Sequence, residues 1–140
     1  IGSQNNFFGN RAGYSNTAGG SNNFFGICAG YYNQVGSNNN FFGPAAGKAN
    51  CDGTNNNYFG DSIASASISP GSTGSNNNYF GCMAAYSNTS GNNNNFLGCK
   101  AGYINSSGSN NNFLGQGSGF SNNSGCHNNF FGKYAGFNNT

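Results

Sequence analysis

The chain has 140 residues, a formal net charge of +2 and only six charged side chains besides one histidine. Its four cations are spread along the chain without a cluster: Arg11, Lys48, Lys100 and Lys133. This distribution excludes the basic patch of proteins that bind nucleic acids or anionic membranes. No apolar run approaches the length that spans a bilayer. We therefore expect no nucleic-acid partner and no membrane insertion.

One short motif, N-N-[FY]-[FL]-G, recurs eight times along the chain. Its copies begin at Asn5, Asn22, Asn39, Asn56, Asn77, Asn94, Asn111 and Asn128. Successive copies start 17 residues apart, except for one step of 21 after the fourth copy. We name each copy a coil and number its positions as columns, with Asn5 in column one. A fixed period of this size is typical of repeat architectures.

Composition and period together predict the fold class. Asparagine and glycine make up 57 of the 140 residues, which is common in disordered chains. Against disorder, 22 aromatic residues recur at fixed positions, while the frequent glycine and asparagine disfavour helix. We predict an all-β fold, a β-solenoid of eight coils with a 17-residue repeat and one four-residue insertion. This single domain would cover residues 1–140, with no capping units.

Each coil is expected to contain a first strand around N-N-F-F-G and a second around A-G-Y-x-N, closed by G-S-N. Adjacent residues of a strand face opposite sides. Column four contains leucine but never tyrosine, and column three contains tyrosine but never leucine. Because a tyrosine hydroxyl needs a polar partner or water, this difference predicts that column four forms the core and column three faces outward.

These two columns and a third give the candidate ladders. The predicted core ladder, column four, is Phe8, Phe25, Phe42, Phe59, Phe80, Leu97, Leu114 and Phe131. The predicted outward stripe, column three, is a self-assembly surface that other chains would bury: Phe7, Phe24, Phe41, Tyr58, Tyr79, Phe96, Phe113 and Phe130. Opposite the core ladder we place the small residues of column eight: Ala12, Ala29, Ala46, Ala84, Ala101, Ser118 and Ala135.

Asparagine occupies columns one and two of all eight coils and column twelve of seven. Stacked asparagines can hydrogen-bond amide to amide along the axis, and asparagine also suits the left-handed backbone of turns. We expect turn chemistry in these columns together with continuous amide ladders.

The insertion falls in the fourth coil, where residues 61–74, "DSIASASISPGSTG", lack the A-G-Y signature. Pro70-Gly71 is a turn signal. We expect a bulged surface loop, and a lateral contact through its serine, alanine and isoleucine residues is the alternative.

The cysteines and ionisable residues offer one candidate disulfide but no catalytic or metal-binding pattern. Cys82 and Cys99 share column six of successive coils, which makes them a candidate disulfide. The other cysteines are Cys28, Cys51 and Cys126, so the odd total leaves one thiol free or bonded to another chain. Catalysis needs groups placed together in space, and neither the sequence neighbours Cys126 and His127 nor the separated Asp52 and Asp61 supply that pattern. We predict no enzyme activity, no cofactor and no metal site.

Four N-glycosylation sequons are present, at Asn88, Asn105, Asn122 and Asn138. Three of them lie in column twelve, so glycans there would line one edge of the stack. In a chain so rich in asparagine and serine, such matches also arise without function.

The repeat resembles the "NNTFLGxxAGxxNTTGSN" repeats of bacterial surface and tail-fibre-like proteins. The resemblance covers essentially the whole chain, as in "NNFFGNRAGYSNTAGGS" and "NNFLGCKAGYINSSGSN". A weaker similarity is to the head repeats of trimeric autotransporter adhesins, and the phrase "AGYSNT" also resembles ice-nucleation repeats. The resemblance implies an extracellular or cell-surface protein with a fibrous or adhesive role.

Two function classes follow. The first is a structural subunit of an extracellular filament that polymerises head to tail, with copies of itself as partners. The second is an adhesin, or a glycan- or ice-binding module, that presents its outward aromatic stripe to surface glycans or ice.

The phase of the repeat at the two chain ends favours the first class. Thr140 falls on column thirteen, and Ile1 falls on column fourteen of a preceding coil. Stacked chains would therefore continue the repeat without interruption, with an axial rise of about 38 Å per chain at about 4.8 Å per coil. A chain that is one period of a longer repetitive protein would show the same phase match.

Overall fold

The computed structural model describes residues 2–65 and 71–140. It contains eight three-residue strands, one in each coil: β1 Asn6–Phe8, β2 Asn23–Phe25, β3 Asn40–Phe42, β4 Asn57–Phe59, β5 Asn78–Phe80, β6 Asn95–Leu97, β7 Asn112–Leu114 and β8 Asn129–Phe131. All neighbours pair in parallel, in the order β1 to β8, and each column pairs with itself. The predicted all-β solenoid is confirmed.

The rest of each coil consists of turns, and the predicted second strand around A-G-Y-x-N is wrong. Column seven and column nine both adopt left-handed backbone, as at Arg11 (φ 58°) and Gly13 (φ 60°), and such a segment cannot be extended. Hydrogen bonds between coils nevertheless continue through the turns. The Gly13 N–H donates to the Ala29 carbonyl at 2.9 Å, and the Ser15 N–H donates to the Tyr31 carbonyl at 3.0 Å. The turns therefore stack as regularly as the strands.

Column three forms the core, so the predicted assignment of columns three and four is reversed. From coil two to coil seven, every column-three ring has no exposed surface: Phe24, Phe41, Tyr58, Tyr79, Phe96 and Phe113. Neighbouring rings stack with their centroids 4.6–5.0 Å apart. The column-eight residues Ala29, Ala46, Ala84 and Ala101 are buried in the same cluster. The small column is thus internal as predicted, but it packs against column three.

Column nine explains why the column-three ring turns inward. A Cβ added at Gly102 would collide with the Phe96 ring, and the same is true of Gly30 and Phe24. The ring therefore lies on the bare backbone of the turn across the coil. Since the pleat places neighbouring residues on opposite faces, column four must point outward.

The fourth coil keeps this pattern further than its sequence suggested. Ile63 takes the column-eight position, where its carbonyl accepts the Gly47 N–H at 2.9 Å, and it is fully buried. Ala64 follows in column nine with φ 46°. The coil is resumed at Ser72, which is buried and forms a parallel bridge with Asn50. The predicted Pro70-Gly71 turn and the centre of the predicted loop lie outside the described residues.

Candidate functional site

The outward face of the sheet is the most distinctive surface of the chain, and we define it as columns two and four. Column four was predicted to be the core ladder, yet its side chains reach solvent in every coil. Exposed fractions are 61% for Phe8, 38% for Phe59, 40% for Phe80, 42% for Leu97 and 67% for Phe131. The first five rings stack in one continuous row, with centroids 4.8–5.0 Å apart. Contiguous apolar rows of this kind mark interaction surfaces.

Column two lies beside this aromatic row and forms a continuous amide ladder. Each side-chain nitrogen donates to the side-chain oxygen of the next coil at 2.8 Å, from Asn6 through to Asn129. The seven bonds all point towards the later coils. The predicted amide-to-amide ladder is therefore confirmed in column two, where it stiffens the outward face.

Columns one and twelve use their asparagines inside the coil. The Asn94 amide nitrogen donates to the Gly108 carbonyl at 2.8 Å, and its oxygen accepts the Asn111 N–H at 2.9 Å. Column one is thus a side-chain-to-backbone brace, not the predicted amide ladder. Column twelve does stack amide to amide, as from Asn122 to Asn105 at 2.8 Å. Its row is interrupted in the fourth coil, which has no asparagine between Asn57 and Asn76.

We expect Asn94→Ala to cost about 2–4 kcal/mol of unfolding free energy, because it leaves the buried Asn111 N–H without its acceptor and opens a cavity. The matched change Asn95→Ala, one residue along and on the outward face, should cost about 1 kcal/mol, since water replaces the lost ladder bonds. Urea unfolding followed by circular dichroism measures both. Equal losses would contradict the structural role assigned to column one.

A second aromatic row runs along column ten, at the turn edge of the coil. Tyr14 and Tyr31 stack at 5.0 Å. A longer row joins Tyr86, Tyr103, Phe120 and Phe137 at 4.8–5.1 Å. Lys48 and Ser65 interrupt the row in coils three and four. The sequence contained this signal, because six of the eight coils carry an aromatic residue in column ten.

An open groove of about 630 Å³ lies beside the later part of this row. Lys100, Phe120, Tyr134 and Phe137 contribute to its walls. Gly117 supplies its floor because it has no side chain, and a Cβ there would lie 2.6 Å from the Tyr134 ring. The Lys100 ammonium stands 5.9 Å from the centroid of the Tyr103 ring. The groove therefore combines flat apolar walls with a positive charge.

All five cysteines are free thiols in the structure, so the predicted Cys82–Cys99 disulfide is not formed there. The stacking that motivated it is present, because the Lys100 N–H donates to the Cys82 carbonyl at 2.9 Å. Partial burial is the main cause that raises the pKa of the Cys82 thiol, and the neighbouring Cys99 raises it further. Burial, with Asp52 beside it, raises the pKa of Cys51 to about 11. A raised pKa keeps these thiols protonated and slow to react.

The remaining ionisable residues stand apart. The Cys126 sulfur accepts the Ser109 N–H at 3.3 Å and donates to the Ser124 carbonyl at 3.4 Å, and neither contact involves His127. Asp61 is exposed and accepts the Ser62 hydroxyl at 2.6 Å. Within residues 2–65 and 71–140, no group of three histidine, cysteine or acidic residues is placed to hold a metal ion.

Three of the four possible glycosylation sites are buried in the folded chain. Asn88, Asn105 and Asn122 are at most 1% exposed. The amide nitrogen to which a glycan would attach donates instead to a glycine carbonyl in the turn, at 2.9 Å in Asn105 and 2.8 Å in Asn122. Asn138 is exposed and stays a candidate. Sequons in column twelve thus reflect turn chemistry.

No family model matches the chain, and neither a curated protein nor a solved structure matches it significantly. In the part of the chain that the structure describes, no helix is long and apolar enough to span a membrane.

Proposed function

We propose that the chain is a non-catalytic structural subunit of an extracellular filament that grows by stacking coils along the solenoid axis. One observation carries this proposal: all seven strand pairings have the same parallel register, so each coil presents the same surface to the next. Such a surface is a template for one more coil. The extracellular placement rests on the resemblance of the repeat to bacterial surface proteins.

The first and last strands show what a further coil would complete. Phe7 and Phe130 are only partly buried, while the column-three rings between them have no exposed surface. β1 and β8 are the edges of the eight-stranded sheet, and open edges favour pairing with another strand. A second copy, or further repeats of the same polypeptide, would bury both rings and extend the amide ladder.

Gly132→Ala is expected to block this growth while leaving the coils themselves intact. In column five, a Cβ points at the next coil: at Gly98 it would lie 2.6 Å from the Gly115 carbonyl. At Gly132 the same Cβ meets nothing within 4 Å in the single chain, so it would collide only with a newly stacked coil. Electron microscopy should show long fibres for the wild-type chain and short particles for the variant.

Asn138→Ala is the matched control, because Asn138 lies in the same coil and is exposed. It should form fibres like the wild type. Discrete wild-type particles at all concentrations, or fibres of Gly132→Ala as long as those of the wild type, would refute axial stacking.

The second candidate function is glycan binding, and the exposed aromatic rows favour it. Stacked rings of column four, or the column-ten groove with Lys100, provide flat apolar surfaces with a nearby charge. Sugar rings pack on such surfaces. Discrete particles that bind oligosaccharides, with loss of binding in Phe120→Ser, would support this candidate over the filament.

A further inference from the structure

We propose that the outward face, columns two and four, is a lateral interface at which two copies of this solenoid pack sheet against sheet. The inference deepens the proposed structural role, because it names the lateral partner and predicts a fibre built from paired solenoids. It rests on the chemistry, the area and the spacing of the face.

The face is uncharged and consists of an apolar row beside a row of amides. Column two is asparagine and column four is phenylalanine or leucine in all eight coils, so neither column contains an ionisable residue. The buried core of a protein interface is depleted of charged residues and enriched in aromatic ones. A face without charge can also meet an identical face without repulsion, which is the condition for a two-fold symmetric contact.

The area of the face is large enough for a stable dimer. Five column-four side chains are 38–67% exposed, and Phe25, Phe42 and Leu114 are partly exposed. With about 200 Å² for a large side chain, the row offers roughly 600–700 Å² per copy. Two copies would then bury about 1,300 Å² in total, which lies within the range of specific protein interfaces.

The spacing of the face fits a second solenoid. Column-four rings repeat every 4.8–5.0 Å, and a second copy carries rows with the same repeat. Column-four side chains of one copy can therefore settle in register against those of the other along the sheet, as in sheet pairs whose side chains interdigitate. Each ladder asparagine uses one N–H along the axis, so its second N–H is available to an acceptor across the interface.

Introducing a positive or a negative charge at Phe80 tests the identity of the partner. Phe80 lies in the fifth of eight coils, near the centre of the row, and it is 40% exposed. Two Phe80→Lys copies would bring like charges together, and so would two Phe80→Glu copies. Each variant alone should pair at least about 100-fold more weakly than the parent, since like charges at an interface cost several kcal/mol. An equimolar mixture of the two should recover pairing, because it places opposite charges face to face.

Ile104→Lys is the matched control, because Ile104 is also 40% exposed but lies off the face. It should pair like the parent. All variants are made in the Gly132→Ala chain, so that pairing is measured by sedimentation as a change from monomer to dimer without axial growth. Thermal unfolding of each variant confirms that the coils are formed.

The outcomes separate the two proposals. Axial stacking is tested by fibre length in the wild-type background, whereas lateral pairing is tested by dimer formation in the blocked chain. A parent chain that stays monomeric at high micromolar concentration would overturn the lateral interface, and so would a lysine–glutamate mixture that fails to pair. A monomeric parent whose oligosaccharide binding is lost in Phe80→Lys would reassign the face to glycans.

Discussion

Gly98→Ala is expected to lower the unfolding free energy by about 2–6 kcal/mol or more. Gly98 has φ 141°, a backbone region that only glycine occupies without strain, and forcing another residue there costs about 1–3 kcal/mol. The added Cβ would also lie 2.6 Å from both the carbonyl carbon and the oxygen of Gly115. These are backbone atoms of the next coil, so relief requires opening the stack itself, which adds a further 1–3 kcal/mol or more of overpacking.

Gly132→Ala is the matched control for stability as well as for growth. It shares column five and a positive φ of 119°, but a Cβ there meets nothing within 4 Å. Its loss should therefore contain only backbone strain in the last coil, about 1–3 kcal/mol. Urea unfolding of both variants at a concentration too low for assembly gives the comparison. Equal losses would mean that the contact between coils is not what makes glycine necessary at Gly98.

The fold was predictable from the sequence because period and register are the same property in a solenoid. Steps of 17 residues place each asparagine next to its counterpart in the previous coil. The one longer step therefore had to be a local insertion. Even so, the start of the inserted loop was predicted too early in the chain. Ile63 continues the core where the sequence shows no A-G-Y, because its side chain is buried in the column-eight position that alanine or serine takes in the other coils.

The direction of the two phenylalanines was predicted wrongly, and the reason is physical. The tyrosines of column three were expected to need water, yet Tyr58 and Tyr79 are fully buried and their hydroxyls make no hydrogen bond. The better signal was column nine, where glycine occurs in six coils and alanine in two. A column so small makes room for a ring across the coil, and the adjacent exposed residue can then be leucine as easily as phenylalanine.

The candidate sites were less predictable because they depend on which side of a turn each side chain takes. Asn105 carries a sequon, but its amide is consumed by the turn that the same asparagine forms. The outward face contains the column-four residues, which the sequence predicted to be the core ladder. The right residues were therefore singled out, but they were assigned to the interior of the coil and not to its surface.

Replacing both buried tyrosines, Tyr58→Phe and Tyr79→Phe, is expected to stabilise the chain at neutral pH and to make it resistant to alkali. Six coils already carry phenylalanine at this position. Each hydroxyl is buried without a hydrogen bond, and removing an unsatisfied polar group of this kind recovers about 1–3 kcal/mol. The Asn77 amide donates one N–H to the Gly91 carbonyl, and its oxygen accepts the Asn94 N–H.

The alkaline effect follows from the same burial. Burial raises the pKa of Tyr58 and of Tyr79 well above the ordinary value of 10.0. The unfolded chain therefore releases these protons at a lower pH than the folded chain does. The free energy of unfolding is unaffected by this ionisation below pH 10 and falls as the pH rises further. Well above pH 10 each tyrosine costs about 1.4 kcal/mol per pH unit. Because a tyrosine of the unfolded chain is only half ionised at pH 10, the pair costs about 3 kcal/mol between pH 10 and pH 11.5.

Urea unfolding of the wild type and the double variant across that pH range measures the difference directly. Cys51, with its pKa raised to about 11, adds an alkaline loss of its own, but this loss is common to both proteins and cancels. Tyr14→Phe is the control, because Tyr14 is 68% exposed, and it should follow the wild-type curve. Parallel curves for the double variant and the wild type above pH 10 would mean that the two hydroxyls reach water or a partner in solution, and the core assignment of column three would then be wrong.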